Sequence, residues 1–253
     1  MLLVVDIGNT NIVMALHDGS SWLATWRIHS DQKKTGDEYF VIVERMLSQK
    51  NIDLQSIQSA VISSVVPKLT KPFQWVVNSL CTLDSLVINH DSIVHLVRSS
   101  IPAELGYDLL ANAEAAHALY PDKTCMVLDL GTALTLTTVN EKGEVLGASI
   151  APGLETAVYA LFSNTAQIPA VQLKAPKTVI GRTSEEAIQS GIMFGFAGLV
   201  KELVKRTEQE LHTTVQLIAT GGMAQLLAPI IDRVDHIEPL LTLEGLRIMA
   251  TKE

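Results

Sequence analysis

Two aspartates stand at the ends of short apolar runs, each followed closely by glycine and threonine: Asp6 in VVDIGNTN and Asp129 in VLDLGTAL. A strand ending in Asp-x-Gly with hydroxyl residues behind it has a physical logic for nucleotide phosphates. The glycine lets the backbone approach closely, and free N–H groups together with the Thr10 hydroxyl donate to anionic oxygens. Asp6 could then hold a hydrated Mg²⁺. A third candidate is Thr220-Gly221-Gly222, after a late apolar run, which offers a glycine surface for a nucleoside. Taken alone, the first turn also reads as a plain hairpin with an Asx turn.

The elements that must position these residues follow from periodicity. Leu2–Val5 and Asn11–His17 read as strand, polar turn, strand, and the same grammar returns at Cys125–Leu128 and Leu134–Asn140, about half the chain later. This internal repeat predicts two similar α/β lobes, residues 1–118 and 119–253. Ile57–Val66 and Leu83–Ile88 read as further strands, and Glu38–Gln49 as a helix. Gly143 starts a hairpin-like return that leads into a helix over Leu154–Ser163. Thr183 and Glu186 have the spacing of a capping box that opens a long amphipathic helix to about Leu211. Gly191, Gly195 and Gly198 share one face of it, suited either to close packing on its own sheet or to a seam between two copies. Val215–Ala219 is a last strand, and Glu244–Ala250 a closing helix. The three tryptophans, Trp22, Trp26 and Trp75, read as core.

Composition narrows the class. The 253 residues are 47% hydrophobic and 18% charged, which argues for a globular protein with a sizeable core. The net charge of −8 and the lack of a Lys/Arg run make nucleic acid and anionic membrane poor partners. Cys81 and Cys125 are the only cysteines, and the seven histidines show no metal spacing, so neither a disulfide framework nor a zinc site is suggested. With no leader-like start and no apolar stretch of spanning length, the chain reads as soluble and cytoplasmic.

The three turns, in this order, resemble those of the actin–hexokinase superfamily of ATP-using enzymes. The fold this implies is α/β, with two ribonuclease-H-like lobes and ATP in the cleft between them. Within that superfamily the chain is similar to the type III pantothenate kinases of the CoaX class along nearly its whole length. The segments that carry the resemblance are Asp6-Ile-Gly-Asn-Thr10, Trp26-Arg-Ile, Thr35-Gly-Asp-Glu-Tyr39 and Ser63-Ser-Val-Val-Pro67. They continue with Leu105-Gly-Tyr-Asp108 through Asn112, Asp129-Leu-Gly-Thr-Ala133, Pro152-Gly153 and Thr165-Ala-Gln-Ile-Pro169. Ala187-Ile-Gln-Ser-Gly191, Thr220-Gly-Gly222 and Leu241-Thr-Leu-Glu-Gly-Leu246 complete the set.

The resemblance implies phosphorylation of pantothenate by ATP, the first step of coenzyme A synthesis, with Mg²⁺ and a monovalent cation, K⁺ or NH₄⁺, in a homodimer. The implied ATP contacts are Asp6, Ile7, Gly8, Asn9, Thr10, Asn11, Ile12 and Val13 in the first turn, Thr132 in the second, and Thr220, Gly221 and Gly222. Asp129 would hold the monovalent cation. Asp108 would be the general base that takes the hydroxyl proton of pantothenate, a role that suits phosphoryl transfer. Read from the residues alone, Asp108 is the N-cap of a helix over Leu109–Leu119. The implied substrate contacts are Ser99, Gly106, Tyr107, Asp108, Leu109 and Ser184.

Three of these depart from the family pattern. Its Gly-x-Asp-Arg stands here as Gly106-Tyr107-Asp108-Leu109, so the Arg that helps hold the acidic substrate is replaced by a residue that cannot pair a carboxylate. Ser99 takes the place of a Tyr, and Ser184 stands at a position of similar hydroxyl character. Arg98 and Arg182 are the nearest replacement cations by sequence. Two other readings stay open: a non-catalytic or regulatory relative resembling the Bvg accessory factor, and a kinase of the same fold with another small hydroxylated substrate.

Overall fold

The structure, a computed structural model, describes residues 1–163 and 171–251. The chain runs β1 (Leu2–Ile7), β2 (Asn11–His17), β3 (Trp22–His29), α1 (Gly36–Gln49), β4 (Ser59–Ser64), α2 (Pro67–Cys81), β5 (Leu86–Val87) and α3 (Tyr107–Leu119). It continues through β6 (Cys125–Leu130), β7 (Ala133–Val139), β8 (Val145–Pro152), α4 (Leu154–Ser163), α5 (Ser184–Leu211), β9 (Gln216–Thr220), α6 (Ala224–Ile231), β10 (His236–Ile237) and α7 (Leu241–Ala250).

The two five-stranded sheets repeat one plan. The first has the order β3-β2-β1-β4-β5, and the second, read from its β8 edge, β8-β7-β6-β9-β10. In each, an apolar first strand pairs antiparallel with the strand after the Asp turn and parallel with a strand from beyond a helix. Contacts divide the chain into two units: residues 1–98, 103–115 and 242–253, and residues 99–102 and 116–241. The closing helix thus belongs with the first unit, whereas the sequence reading kept everything after 118 in the second. The reason is local. A Cβ at Gly245 would overlap the Ala111 carbonyl, so glycine lets α7 lie directly on α3, and Thr242 Oγ1 donates to Asn112 Oδ1 at 2.8 Å.

In the first unit, Tyr39, Val43 and Leu47 share the buried face of α1, four residues apart, and pack with Leu3, Val5, Ile62 and Phe73. Thr35 and Glu38 bond each other's backbone N–H, which fixes where α1 starts. Pro67 opens α2 at a position where no N–H is needed. The sequence reading treated Pro67 only as the end of a strand and missed this helix. Trp75 departs from its expected place in the core. It is 47% exposed, with its ring against Phe40.

In the second unit, α5 buries Ile192, Met193, Ala197, Val200 and Val204 against Met126, Leu128, Leu134 and Leu136. By length and hydropathy alone α5 would pass as a membrane span, contrary to the expectation that no stretch is long enough. Its packed face is that of a core helix. Thr183 caps it as expected, its Oγ1 accepting from Glu186 N at 3.2 Å, but the Glu186 carboxylate returns to the N–H of Arg182 at 2.7 Å, one residue before the cap. A Cβ added at Gly191, Gly195 or Gly198 meets nothing within 4 Å, so these glycines do not serve close packing on their own sheet. Cys81 and Cys125 are buried free thiols, and burial pushes each up to about 11.

Candidate active site

The two aspartates occupy equivalent places. Asp6 lies at the end of β1, opposite Val13 across the hairpin and Ser63 of the parallel strand; Asp129 lies at the end of β6, opposite Thr135 and Thr220. Register explains the position. One residue beyond Asp6, Ile7 pairs with Ile12, and one beyond Asp129, Leu130 pairs with Leu134, so both turns are short and tight. Gly8 N–H donates to Asn11 O at 3.0 Å, and Gly131 N–H to Ala133 O at 3.1 Å. Asn9 and Thr10, and Gly131 and Thr132, are exposed at the tips, while each Asp is half-buried behind its tip. The repeat also shows that Ser63 is the counterpart of Thr220. The sequence reading carried Ser63 only as part of a matching segment, yet it is fully buried beside Asp6.

In the first unit the Asp6 turn and the Asp108 helix meet through one residue. Val65 N–H donates to Ile7 O at 3.0 Å, and the Val65 side chain faces the Cα of Gly106, where an added Cβ would stand 3.7 Å from Val65 Cγ1. The helix α3 begins at Tyr107, so Asp108 sits inside its first turn and is not the N-cap expected from sequence. Its Oδ1 accepts from Leu109 N at 2.9 Å and fills the space above Gly106. Burial raises the Asp108 pKa above its ordinary value, and the Leu109 N–H only partly offsets this. Leu109 is buried and Tyr107 half-buried. Nearby in sequence, Arg98 Nη2 donates to Asp91 O and Ile93 O, each at 3.0 Å.

In the second unit Asp129, Thr132 and Thr220–Gly222 come together. Gly221 has φ +90°, and a Cβ there would stand 2.6 Å from Asp129 Oδ1 and 2.7 Å from the Leu130 backbone. Glycine is therefore required by both space and conformation. Gly153 N–H and Thr156 Oγ1 both donate to Thr132 O, at 3.0 and 2.7 Å, which ties the start of α4 to the Asp129 turn. Met223 N–H donates to Leu130 O at 3.2 Å and ties the start of α6 to the same turn.

Beside these two helix starts lies a cavity of about 420 Å³, walled by Val158 and Tyr159 of α4, Met223 and Leu226 at α6, and Val171 and Leu173, with Glu155 and Gln172 as its polar lining. That volume is in the range of small-ligand sites. The sequence reading did not find this cavity. The signal available was the spacing 155, 158, 159 on one helix face and the apolar residue directly after Gly222. Ser99 and Ser184 are exposed in the second unit. The stretch Thr165–Pro169, which carries part of the family resemblance, lies outside the described residues.

Among the described residues no group of three or more His, Cys, Asp or Glu could hold a metal. A divalent cation held here by one carboxylate, water and substrate phosphate would need no such group, and this is the usual way Mg²⁺ is held with nucleotides. The half-buried carboxylate of Asp6 behind exposed donors fits that donor set.

Comparison with known proteins gives the same direction. The family model described as type III pantothenate kinase matches residues 2–206. A type III pantothenate kinase from Moorella thermoacetica is 39% identical over 250 residues, covering 98% of each chain, and one from Acidiphilium cryptum is 40% identical over 253 residues, covering 100% of this chain and 95% of its own. Among solved structures, the activator of the 2-hydroxyisocaproyl-CoA dehydratase from Clostridium difficile with bound ADPNP aligns with a TM-score of 0.57 at 15% identity, covering 98% of this chain and 93% of its own. That likeness concerns the fold, which is α/β with two mixed sheets of the actin-like ATPase type.

Proposed function

The chain belongs to the type III pantothenate kinase family, and from that premise we propose how its own residues carry out the phosphorylation of pantothenate by ATP. The observation that carries the reading is the placement of Asp108, a carboxylate with a raised pKa, on a helix that meets the Asp6 turn through Val65.

Phosphoryl transfer asks the protein mainly for position and charge neutralisation. The Asp6–Val13 turn offers N–H groups and the Thr10 hydroxyl to the phosphates, and the Thr132 turn offers a second set. Asp108 accepts the proton of the primary hydroxyl of pantothenate as that oxygen bonds the γ-phosphorus. The bond from phosphorus to the β–γ bridging oxygen breaks, and its electron pair leaves with ADP. Asp6 is the residue that would hold Mg²⁺, through water, and Asp129 the one that would hold K⁺ or NH₄⁺. These cations supply charge neutralisation to the phosphates when bound. Gly221 supports the second assignment, because without a side chain it lets the Thr220–Gly222 turn lie close against the Asp129 carboxylate.

The substrate end differs from the family pattern. Leu109 is buried and apolar where the family has Arg, and Ser99 is a small hydroxyl where it has Tyr. The pantothenate carboxylate then requires another cation, which is Arg98 or Arg182. Gly106, Tyr107 and Ser184 complete the proposed contacts. The open face of Gly191, Gly195 and Gly198 supports a homodimer with α5 at its seam. Two free buried thiols suit the reducing cytoplasm, where coenzyme A synthesis would place the enzyme.

The decisive measurement is pantothenate-dependent ADP formation by the purified protein with Mg²⁺ and either K⁺ or NH₄⁺. Turnover that depends on the monovalent cation and collapses in Asp108→Asn supports the reading. ATP binding with no phosphorylation at millimolar pantothenate overturns it, and would turn attention to another acceptor or a regulatory role.

A further inference from the structure

We infer that Glu155 reads the sugar of the nucleotide, accepting hydrogen bonds from the ribose hydroxyls, and so makes the enzyme selective for ribonucleotides over their deoxy analogues. The inference rests on the proposed function, in which the triphosphate lies at the Thr132 turn, and adds that the base enters the cavity beside that turn.

The cavity has a polar end and an apolar end, and their order along α4 is fixed. Thr156, the neighbour of Glu155, donates to Thr132 O at 2.7 Å, so the first turn of α4 is held at the proposed phosphate site. Val158 and Tyr159 follow one turn further along the same face, about 4.5 to 6 Å along the helix at 1.5 Å per residue. The opposite wall shows the same order. Met223 hangs from Leu130 at the Asp129 turn, and Leu226 lies one turn beyond it. A nucleoside triphosphate laid along this axis presents phosphates, then ribose, then base. The ribose falls beside Glu155, and the base falls among Val158, Tyr159, Leu173 and Leu226.

Chemistry agrees with that placement. Among the described residues the Glu155 carboxylate has no hydrogen-bond or ionic partner, and its side chain is exposed at the cavity. An ionised carboxylate only accepts, with capacity for two or more donors. The ribose 2′- and 3′-hydroxyls are two adjacent donors, whereas the faces of a base ask for apolar walls.

The test is equilibrium binding of ATP, 2′-deoxy-ATP and 3′-deoxy-ATP to the full chain by calorimetry, without pantothenate, for the parent, Glu155→Ala and Leu226→Trp. Hydrogen bonds to a charged acceptor correspond to about ten- to a hundredfold in affinity, so the parent should prefer ATP over each deoxy analogue by about tenfold or more. Glu155→Ala should bind all three alike, at the affinity the parent has for the deoxy forms. Equal weakening of all three nucleotides, or a changed Mg²⁺ requirement with the sugar preference intact, would overturn the role of Glu155. Leu226→Trp fills the cavity, and a melting curve shows whether it folds. Unchanged nucleotide affinity in a folded Leu226→Trp would overturn the cavity reading itself, and the melt of Val158→Trp with the same binding series replaces it if Leu226→Trp does not fold.

Discussion

The Asp108 carboxylate occupies the space that a side chain at position 106 would need: a Cβ on Gly106 would overlap Asp108 Oδ1. The glycine is there for the acid. Its backbone needs no unusual conformation, since its φ is not among the positive ones. Gly106→Ala would push aside the end of one short side chain and little else. The expected result is a loss of kcat of tenfold or more with the melting temperature nearly unchanged, since the shift costs about 1 kcal/mol or less. Steady-state kinetics beside a thermal melt reads both. A large drop in stability with kcat intact would contradict this account of Gly106.

Asp108→Asn removes the proposed base while keeping the shape of the side chain. General-base loss lowers turnover by about 10²- to 10⁴-fold. In the parent, kcat/KM should fall on the acid side with a midpoint above 3.8, the ordinary value, because burial raises this carboxyl.

Stability should move the other way. A group whose folded pKa is raised stabilises fully below its unfolded pKa, and that contribution is lost as pH rises through the folded value. Asparagine titrates nowhere in this range, so Asp108→Asn should melt above the parent at pH 7, with the gap closing as pH falls towards 3.8. Melts at a series of pH values check the sign.

Gly221→Ala tests the second turn. Its Cβ would meet Asp129 Oδ1 at 2.6 Å and the Leu130 backbone at 2.7 Å, and its φ of +90° disfavours any side chain. Backbone cannot step aside as the tip of a side chain can. The expected loss is about 1–3 kcal/mol of stability, together with weaker ATP binding. Denaturant unfolding and nucleotide titration separate the two effects.

The missing family Arg gives the fifth prediction. Among the described residues the Arg182 guanidinium has no ion pair, and Arg98 is already bonded to two carbonyls of its own loop and lies 3.7 Å from Asp91 Oδ1. If either holds the pantothenate carboxylate, its change to Ala raises the KM for pantothenate about ten- to a hundredfold and leaves that for ATP in place. Unchanged kinetics in both variants would remove both arginines from the site.

How much of this was legible in the sequence depended on the range of the interactions. The two Asp turns were, because a turn and its flanking strands are local and the repeat shows the pattern twice. The Thr183 cap was legible for the same reason. The α2 helix was not, because Pro67 ends one element and starts the next, and the two roles look alike in a single chain. The β3 strand was not legible either, because it lies at the edge of its sheet and only alternates half-buried and exposed residues from Trp22 to His29. Trp75 was misplaced because residue type speaks for burial only on average, and here the helix turns the ring outwards onto Phe40. The cavity lined by Glu155 and Leu226 shows in the sequence only as the one-face spacing of residues 155, 158 and 159 and the apolar residue after Gly222, with nothing to say that they meet. Its walls come from three stretches, 155–159, 171–173 and 223–226, and only the finished fold of the second unit brings them side by side.

The packing of α7 on α3 sets an order of events on the ribosome. Helix α3 emerges with its Ala111 and Asn112 surface bare, and the residues that cover it, from Thr242 onwards, are made more than a hundred residues later. All the strands of the second sheet are translated in that interval. The half that starts first is therefore completed last, and a nascent chain must keep the helix that carries Asp108 waiting, with one side uncovered, until synthesis has passed the second half.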